Sequence, residues 1–108
     1  MSLADLKQAL RAVEALGLAP LARVYNTRPK SYYGSQQAYA KWTVRLRETE
    51  ALAITQLSAR GASVSEAMGA TRFRMAGVSA SSTMGLEAAL RNWKTGAEKR
   101  LKGKGNSR

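Results

Sequence analysis

Apolar residues recur along this chain at helical spacing, broken at a few glycines, prolines and serine-rich stretches. Leu6, Ala9 or Leu10, Val13 and Leu16 fall on one stripe. Ser2 before Leu3, with Asp5 three positions on, makes a start like a capping box, and Gly17 offers a left-handed stop. A first helix is therefore predicted over about 3–16. Pro20 can open a short helical turn over Leu21 to Tyr25. Asn26 to Gly34 reads as a loop, because Pro29 pushes Arg28 towards extended backbone and Ser31 and Gly34 favour turns. A long helix is predicted from about Ser35 to Arg60, closed by Gly61. Tyr39, Trp42, Leu46, Ala53 and Leu57 form its stripe, and Val44, Leu52 and Ile54 widen it. A helix apolar over that much of its girth should be the spine of the fold, covered from more than one side.

Ser63-Val64-Ser65-Glu66 has the capping-box pattern and predicts a third helix over about 64–75. A fourth is predicted after Ser79, with Leu86, Leu90, Trp93, Ala97 and Leu101 on its buried stripe. Its outer face alternates Glu87, Arg91, Lys94, Glu98 and Lys102 at ion-pair spacing. The segment Lys102 to Arg108 has nothing to bury and reads as a disordered basic tail. No strict apolar/polar alternation bounded by turn residues stands out. The expected fold is thus all-α: a small orthogonal bundle of four to five helices, with a single domain over 1–101 and the tail over 102–108.

Composition narrows the chemistry. The 108 residues suit one domain and include neither cysteine nor histidine. Disulfides, thiolate or imidazole metal sites and His-activated nucleophiles are therefore excluded. Seven acids scattered along the chain form no evident carboxylate pair, and no phosphate-binding glycine loop is present. Catalysis, cofactors and metals are not expected. No apolar run nears the ~18 residues a membrane helix needs, and the N-terminus lacks the order of a secretory signal, so a cytoplasmic protein with no membrane partner is expected. Eighteen Lys plus Arg against seven Asp plus Glu leave a net charge of +11. Charge of that size draws polyanions to the surface, nucleic acid first among them.

Three segments could carry such binding. Gln56 to Ala67, followed by Ala76-Gly77-Val78-Ser79-Ala80-Ser81-Ser82-Thr83-Met84, resembles the helix-turn-helix module of bacterial and phage regulators. In that module a Gly-Val-Ser turn precedes a recognition helix that opens with small hydroxyl residues. The resemblance implies that Ser79, Ser81, Ser82 and Thr83 meet phosphates and base edges, with Arg72 and Arg74 as phosphate clamps. The spacing departs from the module: Ala67 lies ten residues before Gly77, and bulky Phe73 stands four before it.

The segment from Arg23 to Arg47 holds six basic residues, no acid and five interleaved aromatics. Tyr39 and Trp42 match the core stripe. Arg28, Lys30, Tyr32 and Tyr33, in the loop, are the candidates for stacking on bases or reaching a groove. The C-terminal segment adds Arg91, Lys94, Lys99, Arg100, Lys102 and Lys104, of which the tail would add affinity independent of sequence.

The expected function is a small DNA-binding regulator or accessory factor, forming a homodimer or higher oligomer through excess apolar surface on the long helix. A helical module that binds a partner protein, and a binder of RNA or single-stranded DNA, are the alternatives.

Overall fold

The chain from Leu3 to Asn26 is one helical rod, where a helix, a stop and a separate turn were expected. In the computed structural model, which describes residues 3–30 and 36–105, the rod comprises α1 (Leu3–Val13), a π-helical turn (Glu14–Leu18) and α2 (Ala19–Asn26). The Ala19 N–H donates to the Glu14 carbonyl, five residues back. The wider turn has a cause in Pro20, which carries no N–H and whose ring would strike the carbonyl four residues earlier in a regular helix. Gly17 does not end anything. A Cβ at this position would lie 2.7 Å from Leu90 Cδ1 and 3.3 Å from Leu57 Cδ1, so glycine leaves the space that these two leucine side chains fill.

Helix α3 (Gln36–Ser58) falls within two residues of its predicted limits. It closes with Gly61 at φ +96°, the Gly61 N–H donating to Ser58 O and the Ala62 N–H to Leu57 O. This paired closure by a left-handed glycine is the one the sequence predicts.

Residues 63–82 overturn the all-α expectation. They form a three-stranded antiparallel meander of β1 (Ser63–Ala67), β2 (Ala70–Met75) and β3 (Val78–Ser82), in the order β1-β2-β3. The molecule is an α+β fold of helical rods and one small sheet. The predicted third helix is two strands, and the supposed helix-turn-helix bend is a β-turn. Met68-Gly69 and Ala76-Gly77 carry φ of +54°/+79° and +52°/+78°. Two successive positive φ values define the two-residue turn whose twist matches paired strands. Between these turns, Thr71, Phe73 and Met75 are buried while Arg72 and Arg74 are exposed.

Helix α4 (Leu86–Gly105) lies across the inner face of the sheet. It starts seven residues after Ser79 and runs through residues 102–105, so that part of the expected tail is helical; residues 106–108 lie outside those described. Trp93, fully buried, meets Phe73 edge-on at 5.7 Å. Its Nε1 donates to both Met75 O and Val78 O at 3.1 Å, closing the β2–β3 turn from behind. Leu6, Ala9, Val13 and Leu21 from the rod, and Ala53 and Leu57 from α3, complete this core.

A second, smaller cluster ties α2 to α3. Trp42 is buried, its Nε1 donates to Val24 O at 2.7 Å, and Tyr25 and Tyr39 flank its ring at 5.6 and 5.7 Å. The molecule measures 57 × 26 × 24 Å with a radius of gyration of 15.5 Å. A compact domain of this length would have about 13 Å. The molecule is thus elongated; α2 packs on α3 and on the π-turn, and this hairpin around Trp42 forms its arm.

Candidate nucleic-acid interface

Strand alternation sorts the meander into two faces. Inward go Val64, Phe73 and Ala80 as one cross-strand row, with Met75 and Val78 beside them. Outward go the rows Ser65–Arg72–Ser81 and Ser63–Arg74–Ser79. All six outward residues are exposed. Ser63, Ser65, Arg72, Arg74 and Ser79 line a shallow depression of about 300 Å³. Two guanidinium groups, each with a planar fork of donors, are framed by four hydroxyls, and no acid stands on that face. Neither arginine is engaged by an ion pair or hydrogen bond among the described residues. Arg100 adds charge at the turn end, where its Nη1 donates to Gly77 O at 3.0 Å.

The structure thus brings together Arg72, Arg74, Ser79 and Ser81 from the predicted set, on a sheet and not on a recognition helix. Ser82 and Thr83 are separated from them. Ser82 is half-buried in the inward register, and its Oγ accepts the Met84 N–H at 3.0 Å. Thr83 is exposed in the loop before α4. Ser63 and Ser65, which the capping-box pattern places at a helix start, join the outward face as well. The alternation Thr71-Arg72-Phe73-Arg74-Met75 between two X-Gly turns was the signal that could have placed them.

The other candidate cations are dispersed. The Arg28 guanidinium sits 5.9 Å from the Tyr39 ring centre and 5.6 Å from that of Trp42, with Nη2 donating to the Tyr39 hydroxyl at 3.2 Å. Tyr39 and Trp42 therefore hold the arm together and are not free platforms for bases. Lys30 is exposed at the end of α2's loop, and Tyr32 and Tyr33 lie outside the described residues. Arg91 pairs with Glu87 at 2.8 Å, and Lys94 with Glu14 at 2.6 Å. The Glu14 carboxylate, through its hydrogen bond and charge, raises Lys94 above the ordinary lysine range. Lys99 and Lys102 are exposed on α4, and Lys104 belongs to its last turn.

Two groups near the arm titrate away from their usual values. Burial raises the Glu50 carboxyl, with Glu66 adding to the shift and Arg47 opposing it. Burial also raises the Tyr25 phenol, reinforced by Glu50 and Glu87 and opposed by Arg28 and Arg91. Among the described residues, no group of three acids is placed to hold a metal ion, and no helix is long and apolar enough to cross a membrane. Comparison with protein-family models, curated proteins and solved structures finds no match.

Proposed function

We propose that the protein binds nucleic acid, duplex DNA in preference, through the outer face of its three-stranded sheet. The observation that carries this reading is the pair of unengaged arginines, Arg72 and Arg74, framed by serines on an acid-free face of a chain with net charge +11. Two residues apart on one strand, their attachment points are about 7 Å from each other. Successive phosphates along one nucleic-acid strand are comparably spaced. The major groove, ~12 Å wide, admits a two-stranded ribbon, the width of β2 with either neighbour. Sheets and β-ribbons are an established way of entering that groove. The hydroxyls of Ser63, Ser65, Ser79 and Ser81 supply short donors to phosphate oxygens or base edges. Arg100, Lys99 and Lys102 add attraction that does not depend on sequence.

The test is binding of duplex DNA, single-stranded DNA and RNA at two salt concentrations. Duplex binding should weaken steeply with salt. Arg72→Ala/Arg74→Ala should weaken it about tenfold or more and make the log–log salt slope shallower by about two. If the double variant keeps full affinity, the sheet face is not the interface. If no nucleic acid binds at low salt, the protein-partner alternative takes precedence.

A further inference from the structure

The arm carries a groove that the nucleic-acid reading does not use. Pro20, Val24 and Thr27 of α2's side face Arg45, Thr49 and Leu52 of α3 across it, with Arg23 on its rim. Its volume is about 390 Å³. Pro20, Val24 and Leu52 give it apolar walls, and Leu52 leaves 57% of its surface in solvent. Val44 is 59% exposed two turns earlier on the same helix. Arg23 and Arg45 are both exposed, neither is paired among the described residues, and no acid lines the groove. An apolar slot between two helices, edged by unpaired cations of one sign, has the form that accepts an amphipathic helix.

We infer that the α2/α3 groove docks an acidic amphipathic helix of a partner protein. Apolar side chains of that helix would cover Leu52, Val24 and Pro20, while its flanking carboxylates meet Arg23 and Arg45. Charge complementarity selects this occupant. A second copy of the chain would bring the same arginines against each other, like charge facing like charge. A bare phosphate backbone would satisfy the arginines and leave the apolar walls uncovered. The inference is independent of the sheet-face reading, because it uses different residues on a different element.

The full chain can be tested with a fluorescein-labelled helical peptide of about 14 residues, roughly four turns, with leucines along one face and glutamates flanking them. A scrambled peptide of the same composition and a polyglutamate peptide are the controls. The amphipathic peptide should bind saturably, and at least about tenfold more tightly than either control. Leu52→Asp and Arg23→Glu/Arg45→Glu should each weaken it at least about tenfold, whereas Arg72→Ala/Arg74→Ala should leave it unchanged. All the altered side chains are exposed, and unchanged circular dichroism would establish that the variants fold. Absence of saturable binding overturns the proposal. So does equal binding of polyglutamate, which would make the groove merely cationic. Competition by duplex DNA, lost with the same groove substitutions, would assign the groove to nucleic acid. Self-association in sedimentation equilibrium, abolished by Leu52→Asp, would assign it to a second copy.

Discussion

At the scale of single residues, two positions have roles opposite to their ordinary ones. Gly17 looks like a helix stop yet sits inside a continuous rod, with no room for a methyl group beside Leu90 and Leu57. Two effects of Gly17→Ala compete. Alanine gains about 1 kcal/mol of helix propensity, whereas overpacking costs about 1–3 kcal/mol. Overpacking should win, so the variant is expected to lose about 1 kcal/mol in chemical denaturation, with Leu90→Val restoring part of it in the double variant. A gain in stability would show that Gly17 serves only the backbone. Glu50 is the second case. Its folded-state pKa is raised, chiefly by burial. Protonated Glu50 therefore favours the fold, an effect fully present below its unfolded value of 4.5 and lost as pH rises through the folded value. Glu50→Gln should raise the melting temperature at neutral pH, and the advantage should vanish on acidification below 4.5. A constant difference at all pH values would separate Glu50's effect from its charge.

Among the elements, α3 and α4 are legible because a stripe repeated over about four to five turns outweighs local ambiguity. The meander is not, because its strands are five or six residues long and each local signal fits two structures. Ser63-Val64-Ser65-Glu66 satisfies a capping box as well as it satisfies an edge strand. What decides is tertiary: β2 buries Phe73 and Met75 against α4, and Trp93, 15 and 18 residues away, bonds the carbonyls that frame the β2–β3 turn. Neither fact can be read from a short window. The candidate site depends on the same choice, since Arg72 and Arg74 share a face with Ser79 and Ser81 only when the segment is a sheet. The turns themselves remain testable. Met68 holds φ +54° where asparagine is far better suited, and Gly69 follows at +79°. Met68→Asn should stabilise the protein by several tenths of a kcal/mol, and Gly69→Ala should destabilise it by about 1–2 kcal/mol. If both substitutions leave the denaturation midpoint unmoved, the turn conformation is not the one assigned.

Across the whole molecule, the elongated shape follows from having two clusters of unequal size on shared helices. The larger joins the sheet, α4, the lower rod and the C-terminal half of α3, while the smaller is organised around Trp42 and Val24. Positive charge follows the same division: the sheet face presents Arg72 and Arg74, and the arm presents Arg23, Arg28 and Arg45. Each tryptophan donates its indole N–H to backbone carbonyls of its own cluster, so removing either one strikes one cluster first. Truncating a buried tryptophan costs about 3–5 kcal/mol, a large share of the 5–15 kcal/mol that holds a typical domain together. Trp93→Ala should therefore destabilise the molecule globally, lowering the protection of the amides of β2, β3, α4 and the rod together. Trp42→Ala should act locally, because Ala53 and Leu57 anchor the far end of α3 in the larger core without help from the arm. Amide hydrogen exchange separates the two cases. In Trp42→Ala, protection should fall over residues 22–26 and 36–50 while β2 and α4 keep theirs, and duplex binding by the sheet face should persist. Equal loss of protection in both regions would make the molecule a single cooperative unit, with the arm as much a part of its core as Trp93.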